Sequence, residues 1–519
     1  MKQVPNPRPH GATCRVVVVL ALSALAVLAA SGCMVGPKYQ RPTVATPAEW
    51  RWKMAMAQAV AAPASDRWWE VFRDPVLDDL LTQALAANQD IQLAVARVDE
   101  ARAKARLSKA DFFPQLSADP GFNRAQNSAN TFMPGAAGPI KGARVVHNYF
   151  ELPLNLSYEA DVWGRVRRSV AASRDRAEAS VADYHAVLLT VTADTAVGYF
   201  LLRSVDSELD VLQNTLKLRE ESLKLVNSKF KFGAIDALDV ARAKADLART
   251  NASIADAKRR REEAVNVVAI LCGKQASEFA LEHRPLTAPP PEIPSALPST
   301  LLQRRPDIAV AERTLAATNE EIGVAQAAFF PTFALTANGG VQSKELSNLA
   351  HWPSVAWTLA ANLAQPVFTG GRNRAELDAA RARYDQALAA YRQQVLVAFK
   401  DVEDALLDIQ FLAEQAKALD EAVQAARQVT TLATTRYDQG QVSYLDVVDA
   451  QRQQLEVEQQ AVAVLGLRMT AAVRMSKALG GGWNSEGAVA PGDTQRPQKA
   501  QDETHQPIGQ DVQPATRPE

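Results

Sequence analysis

Cysteine is almost missing from this chain: there are three in 519 residues, and only Cys272 lies beyond Cys33. A body with one thiol cannot staple itself with a disulfide, even in an oxidising compartment, so packing must hold it together. An excess of either charge is missing too, with 57 Lys and Arg against 58 Asp and Glu, which speaks against a nucleic-acid partner. There is no HExxH, no GxSxG and no glycine-rich phosphate loop after a strand, and the six His are scattered. No enzyme, metal or cofactor signature remains, and nothing in the chain could bind a nucleotide to drive work.

The first fifteen residues carry Lys2, Arg8 and Arg15 without an acid, and a small, apolar run follows from Val16 to Ala30. That run is shorter than the roughly 20 residues of a membrane span, so residues 1–32 read as a cleaved export signal. Ala30-Ser31-Gly32-Cys33 stands where a bacterial lipoprotein signal carries its lipobox, although Ala30 replaces the usual Leu. Cys33 is then the expected mature N-terminus, bearing an N-acyl chain and an S-diacylglycerol. Met34 follows, rather than the Asp associated with retention in the inner membrane, which favours delivery to the outer membrane. The plain alternative is a secreted protein with an incidental cysteine.

Internal repetition organises the rest. Gly164 and Gly371, Gly233 and Gly440, Asp239 and Asp446, and Gly273 and Gly480 are each 207 residues apart. Upstream, "DFFPQL" (111–116) answers "AFFPTF" (328–333) at an offset of 217, so the first copy holds ten extra residues in the Gly, Asn and Pro-rich stretch 119–144. Such composition predicts a surface loop. Repeat one covers about 76–273 and repeat two about 301–480. The proline-rich stretch 283–300 predicts an extended outer connector, and 484–519 a disordered tail.

Each copy holds two segments of period two. Leu152, Leu154, Leu156, Tyr158, Ala160 and Val162 alternate with Pro153, Asn155, Ser157, Glu159 and Asp161; Trp357, Leu359, Ala361 and Leu363 alternate with Ala356, Thr358, Ala360 and Asn362. Four amphipathic strands per chain are predicted. Open edges in lipid would leave backbone groups unpaired, so other subunits must close the sheet.

Proline-free helices are predicted over about 165–230 and 372–437, each on the order of 100 Å long. Val181, Leu188, Thr195, Leu202, Leu209, Leu216, Leu223 and Phe230 lie on one seven-residue repeat; Leu388, Val395, Val402, Ile409, Ala416, Val423, Thr430 and Tyr437 lie on its counterpart. Phe230 and Tyr437 are expected to pack rather than to bind cargo. The helices reverse at Gly233 and Gly440 into shorter ones, about 236–271 and 444–479, with Asp236 and Ser443 as N-caps. A further leading helix is expected over about 76–111. A fibrous coiled-coil stalk would share the heptads but not the strands.

The motifs "MVGPKYQRP" (34–42), "WWEVFRDPVLDDLL" (68–81), "FFP" twice, "LLQRRPDIAVAE" (301–312), "QPVFTGGRNRAE" (365–376) and "YLDVVDAQR" (444–452) together resemble the TolC-like outer membrane factors. Within them, the match is to the RND-type efflux lipoproteins of the OprM and NodT subgroup, from residue 33 to about 483. The resemblance implies a mainly α fold with a small β part: long duplicated α-hairpins forming a trimeric α-barrel, and four strands per chain in a shared 12-stranded transmembrane β-barrel. It implies a passive gated exit duct for drugs or other small molecules, anchored in outer membrane lipid and reaching into the periplasm. Its partners would be a periplasmic adaptor (a membrane fusion protein) and an inner-membrane RND-type pump. A duct for polypeptides is the alternative within the class; a periplasmic coiled-coil scaffold or adhesin lipoprotein is the alternative outside it.

The same resemblance makes Leu445, Asp446, Asp449 and Arg452 the periplasmic gate. Residues three or four apart share a helix face, so Asp446 and Asp449 are expected to point together into the lumen, and threefold symmetry would make carboxylate rings that attract cations. Crowding should raise their pKa values unless Arg452 compensates. The alternative is an exposed first helical turn whose acids suit the helix dipole. The turns containing Gly233, Ala234, Leu238 and Asp239, and Gly440, Gln441 and Leu445, are the candidate adaptor-docking tips. Some TolC-like chains carry an arginine two residues after the tip glycine that ties the gate shut; Val442 stands there, which leaves Asp239 in doubt as its partner.

Overall fold

The structure, a computed structural model, describes residues 34–47, 50–52, 67–126, 146–291 and 304–483. Cys33, most of the expected surface loop, the second half of the connector and the tail after Trp483 lie outside the described residues.

Helix α1 (Pro75–Ala87) is followed by α2 (Gln89–Ala110), then strands β1 (Gln115–Ala118), β2 (Gly121–Gln126) and β3 (Val146–Ala160). Helices α3 (Arg165–Lys231) and α4 (Ala237–Leu271) complete the first copy. The second copy runs α5 (Pro306–Ala327), β4 (Thr332–Ser343), β5 (Val355–Ala364), α6 (Arg372–Asp438) and α7 (Tyr444–Ala478). Both long helices have 67 residues and both return helices 35, so the duplication read from glycine spacing is a duplication of lengths as well.

Three expectations need correction. The leading helix is two helices, because Asn88 leaves helical geometry and its side chain accepts from the amides of Asp90 and Ile91, capping α2. The first strand of copy one is broken at Asp119-Pro120, since proline has no N–H to give the ladder. Part of the expected loop is strand β2, because Phe122 lies opposite Phe150 with ring centroids 4.7 Å apart.

The sheet is antiparallel in the order β1/β2, β3, β4, β5, and the two copies meet at the β3–β4 pair. Register places Leu116 opposite Leu156, Leu152 opposite Val341, Ala337 opposite Leu359 and Phe333 opposite Leu363, all on one face. Trp357, Leu359 and Leu363 on that face stay exposed. On the other face, Asn338 Nδ2 donates to Asn155 Oδ1 (2.5 Å), Asn155 Nδ2 donates to Asp119 Oδ2 (2.7 Å), and Tyr149 bonds Gln342. A sheet with one bare apolar face and one wet polar face suits a wall between lipid and water.

Below the sheet the helices form a one-layer wall. Helix α3 packs against α2, α4, α5 and α7, and α6 packs against α5 and α7. Near the middle the wall gains a second layer. Trp68 and Trp69 with Leu77, Leu80 and Leu81 of α1 cover Tyr199 and Phe200 of α3 and Val268 of α4. Trp50 covers Ile308 of α5, Val395 and Val402 of α6 and Met475 of α7. Full burial of each such side chain stabilises by roughly 1.5–3 kcal/mol, so this belt holds the two copies together. The heptad seams follow the same logic: Thr195, Leu202, Leu209, Val395 and Val402 are buried at or near the belt, whereas the seam residues Ala416 and Val423 further along α6 are only partly covered by this chain.

The described part of the connector is not free. Asp206, fully buried, accepts from Arg203 Nη1 (2.6 Å), Arg261 Nε (2.7 Å) and the Arg284 amide (3.0 Å), pinning the connector to α3 and α4.

Candidate functional site: the helical tip

Both long helices end in the same hydrogen-bonded turn. The Ala234 amide bonds the Lys229 carbonyl (3.0 Å), and the Gln441 amide bonds the Arg436 carbonyl (2.9 Å). The intervening Gly233 and Gly440 have φ of 73° and 74°, the left-handed conformation that closes such a turn at least cost. Nothing lies within 4 Å of where a Cβ would stand on either glycine, so both tips are bare. Gly233, Ala234, Leu238, Gly440, Gln441 and Leu445 are exposed and Asp239 half-buried.

The caps differ between copies. Asp236 accepts from the amides of Leu238 (2.8 Å) and Asp239 (3.3 Å). Ser443 instead caps α7 together with Asp446, whose Oδ2 accepts from the Ser443 amide (2.9 Å) and hydroxyl (2.7 Å). Within the single chain, those bonds from Ser443 hold the Asp446 carboxyl below the usual carboxylate range. Asp446 thus bonds its own cap, while Asp449 is exposed.

Arg452 does not project beyond Asp449 as an isolated charge. Its Nη2 donates to Asp246 Oδ1 on α4 (2.8 Å), while Asp449 is 3.9 Å from Nη1. Asp246 is buried, and its other oxygen has no hydrogen-bond partner among the described residues. Arg219 of α3 lies beneath, donating to the Asp246 carbonyl (2.8 Å) and bonding Thr250. Burial pulls its guanidinium below the ordinary arginine value. The two return helices thus meet through one charge pair set above a buried polar cluster.

Tyr437 packs as expected, buried with Tyr444, Val447, Val448 and Val226. Lys229 caps it, with Nζ 3.9 Å from the ring centroid and donating to the Tyr437 carbonyl (2.8 Å). Its counterpart Phe230 is 44% exposed in the single chain. Asp239 pairs with Arg242 of its own helix (3.3 Å), and Val442 sits against the apolar cluster.

Sequence reasoning missed Asp246, Arg219 and Lys229. A signal existed in the broken symmetry of the repeat. At the 207-residue offset Arg452 answers Ala245, Asp449 answers Arg242, and Asp246 answers Gln453. Where duplicated helices exchange charge types, each copy supplies what the other lacks.

Comparison with known proteins agrees with this geometry. The family model described as "Outer membrane efflux protein" matches residues 80–274 and 297–481, one stretch for each copy. The toluene efflux pump outer membrane protein TtgI of Pseudomonas putida is 33% identical over 469 residues, covering 89% of this chain and 98% of its own. The cation efflux system protein CusC of Escherichia coli is 31% identical, covering 88% and 97%. The solved structure of the outer-membrane channel OprN superposes with a TM-score of 0.78 at 31% identity, covering 87% of this chain and all of that one. The relatives are channel and efflux proteins rather than enzymes. The chain belongs to the outer membrane efflux protein family: it is a protomer of a TolC-like outer membrane efflux channel that extends into the periplasm.

Proposed function

We propose that three copies close into one gated duct, lipid-anchored at Cys33, through which an inner-membrane RND-type pump expels small molecules by way of a periplasmic adaptor. One observation carries the assembly: both layers of the protomer end on matching sides. The sheet stops at β1/β2 on one side and β5 on the other. The wall likewise stops at α2 and α4 on the first side and at α6 on the second. A head-to-tail contact that joins β5 to the next copy's β1/β2 also joins α6 to its α2 and α4, and such a contact closes by rotation into a ring. Three turns of a four-strand sheet make twelve strands, which remove the open edges that lipid cannot tolerate.

The tips supply the rest of the reading. Gly233, Ala234, Leu238 and Asp239, with Gly440, Gln441 and Leu445, offer bare turns for an adaptor's helical hairpin. Leu445, Asp449 and Arg452 line the gate, and Asp446 orders the helix that carries them. Arg452 holds α7 against α4. Small solutes of the kinds named for the relatives, toluene and cations, need no binding site here, because a passive duct is selective only at its constrictions.

Planar-bilayer recording of the purified protein tests the proposal. The expected result is a mostly closed, cation-preferring channel from a trimer, with Asp446→Ala/Asp449→Ala raising closed-state conductance. A monomer in mild detergent that conducts nothing would overturn it, and an unchanged double variant would remove the gate assignment.

A further inference from the structure

Arg168 is the least expected charge in the upper wall. It lies in α3, three residues into the helix that follows β3, and only 3% of its side chain is exposed. Its guanidinium is filled from outside its own repeat. Nε donates to the Val35 carbonyl (3.2 Å), Nη2 to the Gly36 carbonyl (3.1 Å), and Nη1 to the Pro37 carbonyl (2.9 Å) and to Glu320 Oε2 of α5 (2.7 Å). Asn319 of α5 also donates to the Pro37 carbonyl (3.2 Å), and the Val35 amide donates to the Trp163 carbonyl (3.1 Å). Three consecutive peptide carbonyls are therefore read by one planar fork, which only arginine supplies.

The walls of this socket are cut for glycine. Gly36 has φ of 102°, and a Cβ there would stand 2.6 Å from the Gly323 Cα of α5. A Cβ on Gly323 would meet Arg168 Nε at 2.7 Å. Half of the socket belongs to copy one, through Trp163 and Arg168, and half to copy two, through Asn319, Glu320 and Gly323. Without the segment, Arg168 would keep one carboxylate and lose three carbonyl acceptors.

The segment then continues along α5 and α6. Arg41 pairs with Glu312 (3.0 Å), the Arg51 amide bonds Glu403 (2.8 Å), and Trp50 and Trp52 pack on Phe399 and Phe411. The described parts of the strap thus reach from the foot of the sheet to the belt.

We infer that Arg168, Glu320 and Gly323 form a binding socket for the backbone of residues 35–37, and that this socket fixes where the lipid on Cys33 enters the membrane. The inference rests on the lipidation of Cys33 proposed above. Met34 lies against Gly164, just past the last residue of β3, so the socket sets the acyl anchor at the periplasmic rim of the sheet. The contacts of Arg41, Trp50, Arg51 and Trp52 then tie that anchor to the belt. Arg168 is a positioning residue: it touches no cargo and acts through the strap.

Limited trypsin digestion of the assembled protein, labelled with radioactive palmitate, tests this. The Lys38–Tyr39 bond is the site to watch, since Arg41 precedes Pro42 and resists the enzyme. In the wild type the bond is held on both sides and cleavage is slow. Arg168→Gln should speed cleavage there at least tenfold while the trimer persists, and the label should leave the body on the six-residue peptide Cys33–Lys38. Gly36→Val, which alters only the strap, should do the same and decides the matter if Arg168→Gln fails to accumulate. Cleavage at wild-type rate in an intact Gly36→Val trimer overturns the socket. Absence of label from the wild type overturns lipidation instead, while the mass of the cut product still reports on the socket.

Discussion

Arg452 on α7 donates to Asp246 on α4 at 2.8 Å, and this bond joins the return helices of the two repeats near the helical tips. Asp246 is buried while Arg452 is 47% exposed on its side chain, so the pair is asymmetric. Losing the arginine leaves the buried carboxylate only the longer 3.4 Å bond from Arg249 of its own helix; losing the carboxylate frees an arginine to water.

Arg452→Met should therefore cost about 1–2 kcal/mol of hairpin docking, the low end for a charge-assisted bond because one partner is solvated. Closed-state leak in bilayers should rise roughly five- to thirtyfold, following the relation of free energy to population. Asp246→Leu combined with Arg452→Met should be less harmful than the two effects added, and a double-mutant cycle measures the coupling.

Gly440→Ala and Gly480→Ala should separate tip function from assembly. Both glycines have positive φ, at 74° and 91°. At Gly440 the methyl meets nothing, so the cost is the left-handed backbone alone, about 1 kcal/mol, and the trimer should accumulate normally with a modest fall in efflux. At Gly480 a Cβ would stand 1.9 Å from the Arg304 carbonyl oxygen, so the variant should fail to accumulate. Immunoblots of outer membranes read both outcomes.

Cys272 should be silent to thiol reagents. It is fully buried beneath α1, and burial pushes its thiol up to about 11. At pH 8 roughly one thiol in a thousand is ionised, so maleimide labelling should be negligible until denaturant is added. Rapid labelling of the native trimer would contradict the packing of the belt.

Asp175 should make the upper wall more stable in acid. Burial, and then repulsion from Glu178, raise its carboxyl to about 6, against the attraction of Arg313 at 3.6 Å. A raised acid pKa means that the folded state binds a proton the unfolded chain has released; this contribution is favourable below about pH 4 and is lost as pH rises to about 6. Asp175→Asn should therefore stabilise at pH 7.5, by roughly 1 kcal/mol once solvent screening is allowed for, and change little at pH 4. Thermal melts of the trimer at the two pH values provide the check.

The lengths of the helices, the positions of their turns and the faces of the strands were determined by the sequence itself. A heptad seam without proline has only one long regular conformation, glycine at a constant 207-residue offset marks where it must reverse, and alternation over residues 152–162 admits only a strand with two unlike faces. Local devices such as the caps at Asp236 and Ser443 were legible for the same reason: their partners lie within three residues. Pairings across hundreds of residues were not. The Arg168 guanidinium meets carbonyls more than 130 positions away, and Arg452 meets Asp246 across 206. Only the tertiary structure decided these, because a long side chain finds its partner by where helices are placed in space, and that placement is set by the belt that packs both repeats together.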